Sequence, residues 1–188
     1  KTLQFLQGVV DVTAEHVCAY KPQKAFFDLL SGGHDVLKSL IAYIHARYAG
    51  IPVIIDCKVG DIDNTMDAYI RNILDIMGAD GIIVNPYMGD EVVQSVTSRL
   101  GKLTVVLVRT SNPGSSIVQD AIMADGRALW QHMLNLAVNR WNTNGNIAVV
   151  LSATAGMDLA AVRTSIPDDM PILWAGVGAQ GGSYADLR

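Results

Sequence analysis

Several features that would narrow the function of this chain are missing from it. No basic stretch occurs, and the formal net charge is −4, from 14 Lys and Arg against 18 Asp and Glu. A protein that tracks a phosphate backbone needs a positive patch, so nucleic acid is not an expected partner. No apolar run approaches the length of a membrane span, so no membrane association is expected either. No signal-peptide pattern opens the chain. It begins at Lys1 and reads as cut at its start, so this last absence excludes nothing. There are two cysteines, Cys18 and Cys57, without metal-ligand spacing. Both fall in strand-like runs and read as buried free thiols of a reducing compartment, which points to the cytoplasm. No linker, internal repeat or low-complexity segment is present. With 188 residues, 50% of them hydrophobic, the chain can bury one good core and is too short for two ordinary domains.

What is present is an alternation of strand-like and helix-like segments. Strands are predicted at 17–21, 53–56, 81–85, 104–108, 147–151 and 172–175. Between them, 35–48 carries Val36, Leu37, Leu40, Ile41 and Ile44 at helical spacing, and 66–77 carries Ile70, Ile73, Leu74 and Met77. The stretch 121–141 is long enough for a helix of about five turns. Repeated strand–helix units imply parallel strands with right-handed crossovers. Near-continuous apolar strands such as Val105–Val108 fit a sheet covered on both faces. Such a pattern suits an open doubly wound sheet and a (β/α)8 barrel equally. Polar residues gather at the carboxyl ends of the strands (Lys21, Asp56, Lys58, Asn85, Ser111, Gln180), where both architectures place their sites.

The densest chemistry lies in Ile55-Asp56-Cys57-Lys58-Val59-Gly60-Asp61-Ile62-Asp63-Asn64-Thr65. Strand alternation points Asp56 and Lys58 to one face and Cys57 to the other. Charges this close to a buried strand are costly unless paired, and either a site or a structural ion pair would satisfy that demand. Asp61 is open to two readings, a catalytic carboxylate or the cap of a helix beginning near Ile62. Lys21 before Pro22, taken alone, reads better as an exposed strand-end lysine. His16, His34, His45 and His132 share no motif.

The run Asp56-x-Lys58-x-x-Asp61-Ile62-x-x-Thr65 resembles the signature of the orotidine 5′-phosphate decarboxylases, specifically their bacterial type 2 branch. Further segments resemble the same family in the same order: Ala19-Tyr20-Lys21-Pro22, Val84-Asn85-Pro86-Tyr87-Met88-Gly89, Arg109-Thr110-Ser111-Asn112-Pro113-Gly114-Ser115, and Ala175-Gly176-Val177-Gly178-Ala179-Gln180-Gly181-Gly182. The resemblance implies an α/β (β/α)8 barrel, incomplete here, with its first and eighth strands missing. Residues 1–188 would form a single partial barrel domain of a longer chain, poorly active by itself.

The resemblance also implies cofactor-independent decarboxylation of orotidine 5′-phosphate to UMP, with no metal. By that likeness Lys58 is the proton donor and Asp56 the carboxylate beside the substrate's own. Lys21 and Asp61 complete an alternating array. Asp61, Ile62 and Thr65 reach the partner's site in a homodimer. Ser111 holds the pyrimidine edge, and Gly178 and Gln180 belong to the phosphate loop. Four charges that sum to zero can be desolvated together more cheaply than singly. Three positions depart from the family pattern: Val59 stands where Arg is usual, Asp63 where Gly is common, and Ala175 where Pro is usual. The alternatives are a magnesium-dependent sugar-phosphate decarboxylase or aldolase of the same superfamily, and an inactive phosphate-binding fragment.

Overall fold

The computed structural model describes residues 1–187. The chain divides into two compact units, Lys1–Thr104 and the remainder from Val105. In the first unit, α1 (Thr2–Thr13) and a 3-10 turn (Ala14–His16) lead to an extended segment. Then follow α2 (Lys24–Asp28), α3 (Gly33–Arg47), β1 (Ile54–Val59), α4 (Asp63–Ile70), β2 (Gly81–Val84), α5 (Asp90–Thr97) and the start of β3 (Leu103–Leu107). The apolar spacing read from the sequence holds: Leu37, Leu40, Ile41 and Ile44 of α3 are buried, as are Ile70, Ile73, Leu74 and Met77. β2 is buried at every position, as a strand covered on both faces requires.

β1 and β2 are parallel, pairing Ile54 with Gly81, Ile55 with Ile82, and then Val59 with Val84. Between the last two pairs β1 advances from 55 to 59 while β2 advances only from 82 to 84. The surplus residues form a bulge, and Lys58 within it has a φ of +47°. That conformation is uncommon for a residue carrying a Cβ, and a bulge is where a strand re-aims a side chain.

One carboxylate ties the opposite ends of these elements together. Asp80, just before β2, accepts from the Val53 amide at 2.8 Å and pairs with His45 Nε2 of α3 at 2.7 Å. Its own amide donates to Val53 O, and its carbonyl accepts from the Leu103 amide where β3 begins.

In the second unit the rest of β3 is followed by α6 (Ser116–Gln119), α7 (Leu129–Leu136), β4 (Ile147–Ser152), α8 (Leu159–Thr164) and β5 (Ile172–Ala175). β4 and β5 are parallel, from Val149 with Ile172 to Ser152 with Ala175. β4 is buried throughout, and Trp141, in the segment before it, is buried at 1% exposure.

Three expectations need correction. The strand expected at 17–21 is reduced to single parallel bridges, Tyr20 to Val53 and Gln23 to Asp56. Pro22, lying between them, has no amide to donate, so no continuous ladder can form. The long helix expected over 121–141 begins only at Leu129. Asp125 and Gly126 turn the chain first, with Gly126 at φ +83° and Ile122 bridged to Ala128. Helical hydrogen bonding also loosens to π geometry over Arg71–Ile76 and Ala137–Trp141. Cys18 is exposed and only Cys57 is partly buried, so the pair of buried thiols does not hold.

Asp80→Ala should lower stability by about 1–3 kcal/mol, because it orphans the Val53 amide and His45 together. Asp80→Asn keeps an acceptor and should recover much of the loss. Urea denaturation midpoints measure both, and an Asp80→Ala midpoint equal to wild type would contradict the assignment.

Candidate active site

The extended segment and β1 together build a charge cluster in the first unit. The Asp56 amide donates to Pro22 O at 3.0 Å, which sets Lys21 beside the Asp56 side chain. Lys21 Nζ donates to Asp56 Oδ2 at 2.7 Å. Lys58 Nζ donates to the other oxygen, Oδ1. Asp56 is thus clamped between two ammonium groups, its side chain only 7% exposed while those of Lys21 and Lys58 are 37% and 42% exposed. Burial pushes the Asp56 carboxyl up, but the hydrogen bonds and charges of Lys21 and Lys58 outweigh it. The net result lies below the ordinary carboxylate range.

The bulge at Lys58 makes this arrangement available. Simple alternation would put Asp56 and Lys58 on one face. The structure adds the left-handed turn at Lys58 that brings its ammonium back onto the carboxylate two residues earlier. Local strain of this kind is stored where surrounding contacts over-determine it. One such contact lies at Gly60, where a Cβ would collide with the carbonyl oxygen of Asn85. The Asn85 amide donates to Val59 O at 2.8 Å, locking the ends of β1 and β2 together just past Lys58. The side chain of Asn85 caps the Tyr87 amide at 3.2 Å. Neither Gly60 nor Asn85 was legible as a positioning residue from spacing alone.

Asp61, Ile62 and Thr65 follow directly. Asp61 does not cap the helix: α4 starts at Asp63 with no side-chain cap at Ile62, and Asp61 Oδ1 accepts from the adjacent Ile62 amide at 2.9 Å. Among the described residues Asp61 stands apart from the Lys21–Asp56–Lys58 trio. Ile62 and Thr65 are exposed. Asp63, at φ +49°, occupies the backbone region that glycine favours and that Asp tolerates better than most residues. Cys57 faces away from the charges, with Sγ 3.5 Å from Ile83 O, and burial pushes its thiol up, which makes it a poor nucleophile.

The second unit carries the remaining candidates. The turn bearing Ser111 is held by Arg109, 4% exposed, whose guanidinium donates to both Asp120 oxygens at 3.0 and 2.9 Å and to Ser115 Oγ. Gln119 accepts from the Thr110 amide at 2.8 Å. A buried Arg with a bidentate partner is an effective clamp for a polar turn. Asp120 and Gln119 went unnoticed in the sequence because their partners lie about ten positions earlier.

Gly176, at φ +90° beyond β5, is a second glycine near the candidate residues that close approach requires. A Cβ there would lie 3.1 Å from Ser111 Cβ and 3.2 Å from Thr154 Oγ1. The loop after it is tightly self-bonded, with the Gly178 amide donating to Gly182 O, Gly181 to Gly178 O, and Gly182 to Gly176 O. Gly178, at φ +81°, therefore shapes the turn, and Gln180 is exposed at its tip. Among the described residues no group of three or more His, Cys, Asp or Glu side chains converges as a metal site would require.

Because the folded Asp56 pKa lies below its unfolded value, its stabilising contribution is present above the ordinary range. It is lost as pH falls through about 4 toward the lower folded value. Wild-type stability should therefore drop more steeply than that of Asp56→Asn between about pH 5 and 3. Equal slopes in urea titrations would contradict the clamp.

A family model described as orotidine 5′-phosphate decarboxylase / HUMPS family matches residues 1–188. The chain is 43% identical over 180 residues to an orotidine 5′-phosphate decarboxylase of Janthinobacterium, covering 96% of this chain and 65% of that one. It is 44% identical over 178 residues to that of Cupriavidus metallidurans, covering 95% of this chain and 64% of the relative. The chain thus spans slightly less than two thirds of the length of these curated relatives. Among solved structures, Leishmania donovani UMP synthase superposes with a TM-score of 0.91 at 36% identity, over 98% of this chain and 41% of that one. Leishmania donovani OMP decarboxylase gives 0.86 at 35% identity, over 93% and 68%. These neighbours carry the (β/α)8-barrel fold, and the chain is of that class.

Proposed function

The chain belongs to the orotidine 5′-phosphate decarboxylase / HUMPS family, and from that membership we propose that it serves to decarboxylate orotidine 5′-phosphate to UMP. The observation that carries this reading is the carboxylate of Asp56 clamped between Lys21 and Lys58. The reaction breaks the bond between C6 and the carboxyl carbon. The electron pair stays on C6, where the pyrimidine ring delocalises it poorly, and carbon dioxide leaves. Fixed positive charge next to C6 is what the protein can supply, and it is more effective in a site that excludes water. Lys58 stabilises the carbanion and then gives C6 its proton, which yields UMP and a neutral amine that water reprotonates.

Asp56 has a double role in this scheme. It holds both ammonium groups in place, and its negative charge lies where the substrate's own carboxylate must come. Departure of carbon dioxide relieves that repulsion. Lys21 fixes Asp56 and reaches toward the ribose. Asp61, Ile62 and Thr65 serve a partner subunit's site in a homodimer, and the exposure of Ile62 and Thr65 supports that role. Ser111 takes the pyrimidine edge, and Gln180 takes the phosphate on a loop shaped by Gly178. Phosphate lies far from C6, so its binding energy is free to order the site. We place the enzyme in the cytoplasm, working without metal or cofactor.

The test is decarboxylation followed by ultraviolet absorbance in the full-length protein, with and without EDTA. Turnover should be indifferent to EDTA, and Lys58→Ala should lose at least about a thousandfold in kcat, within the range a general acid with an electrostatic role supplies. Turnover that persists in Lys58→Ala would overturn the assignment of the proton donor. Loss of turnover on chelation would point to the magnesium-dependent sugar-phosphate reading instead.

A further inference from the structure

Thr154 belongs to none of the assignments above, yet it flanks Gly176 together with Ser111. Both side chains crowd the same α-carbon: a Cβ on Gly176 would lie 3.1 Å from Ser111 Cβ and 3.2 Å from both Cγ2 and Oγ1 of Thr154. Gly176 is thus the gap that lets two hydroxyl-bearing residues approach at the carboxyl ends of their strands. Ser111 is partly buried and Thr154 is exposed, so the pair opens to solvent on the Thr154 side.

The Thr154 hydroxyl has a buried neighbour that constrains its role. Ser152 is fully buried at 0% exposure. Its Oγ accepts from the Thr154 amide at 3.1 Å and lies 3.2 Å from Thr154 Oγ1. A buried hydroxyl proton without an acceptor is costly, and Thr154 Oγ1 is the acceptor within reach. Ser152 therefore donates to Thr154. With Oγ1 accepting from Ser152, the Thr154 proton is left free for another acceptor. The amide of Thr154, the hydroxyl of Ser152 and the hydroxyl of Thr154 form a short relay ending in an exposed donor.

We propose that Thr154 is a specificity-determining residue that donates a hydrogen bond to a carbonyl oxygen of the pyrimidine ring, next to the contact made by Ser111. This rests on the orotidine 5′-phosphate reading of the site. A pyrimidine ring presents carbonyl acceptors on either side of its N3–H. One hydroxyl free to accept from N3–H and a neighbour whose proton is left free to donate match that alternation. A site built to satisfy a ring carbonyl in this way rejects analogues lacking it more strongly than an apolar wall would.

The experiment measures binding by titration calorimetry in the full-length protein, using UMP, 2-thio-UMP, 4-thio-UMP and ribose 5-phosphate. Sulfur is a weak acceptor, and ribose 5-phosphate lacks the base. Thr154→Val should weaken UMP about tenfold and leave ribose 5-phosphate unchanged. Wild-type preference for UMP over one of the thio analogues should collapse in this variant. Thr154→Ser should restore both affinity and preference, and Ser152→Ala should lose part of the preference with the orientation of the donor. The proposal is overturned if Thr154→Val binds UMP as wild type does, or weakens UMP and ribose 5-phosphate alike, the mark of a phosphate contact or a purely structural role. It is likewise overturned if the thio preference survives. Wild-type protein that binds ribose 5-phosphate but neither binds UMP nor turns over orotidine 5′-phosphate would instead remove the substrate reading itself.

Discussion

A carboxylate in the floor of an apolar strand must be paid for by cations, and in this chain that requirement organises the first unit. Asp56 follows Ile55, which has no exposed surface, and its own side chain is nearly as sheltered. Two lysines compensate it from opposite directions, one from the extended segment before α2 and one from the same strand two residues on. Removal of either cation would leave charge uncompensated in a place that water reaches poorly. The features around the cluster then follow. The segment at Tyr20–Gln23 runs alongside β1, the strand bulges so that Lys58 can turn back, and Gly60 lets the Asn85 backbone come close enough to hold the bulge.

Much of this was legible in the residues. Apolar spacing at Leu37, Leu40, Ile41 and Ile44 marked the buried face of α3, and the unbroken apolar runs at 81–84 and 147–151 marked strands covered on both sides. The motif containing Asp56 and Lys58 was visible because its charges interrupt such a run. The left-handed Lys58 was not, since a positive φ on a residue with a Cβ is imposed by neighbours rather than preferred locally. Pro22 shows the opposite case: the residue was plain, but its effect, dividing a strand into two single bridges, depends on which edge pairs with β1. The helix expected from 121 failed because the Asp125–Arg127 ion pair and the Gly126 turn outweigh the helical propensity of the surrounding residues.

In the second unit the same logic works through polar networks rather than a single charge. Arg109 is buried and answered by Asp120, Ser115 and the Thr110 carbonyl, so the turn that presents Ser111 is rigid. Ser152 is buried and answered by Thr154. Both cases place a satisfied polar group next to a hydroxyl residue that reaches solvent at least in part, Ser111 in one and Thr154 in the other. Glycines at 176 and 182 supply the close approaches: a Cβ at 182 would come within 2.7 Å of Gly176 O. Ala175, in place of the proline usual in the family pattern, ends β5 paired with Ser152 in regular register, so the substitution leaves the ladder intact.

The most direct test of the central claim is the titration of Asp56 itself. Carbon-13 NMR of the side-chain carboxyl, followed across acidic pH, reports when this one group protonates. Clamping by Lys21 and Lys58 predicts a midpoint below the ordinary Asp value of about 3.9, moving up in Lys21→Met. A midpoint at or above the ordinary value in the wild-type protein would mean that burial outweighs the two ammonium groups, and the charge array would lose its physical basis.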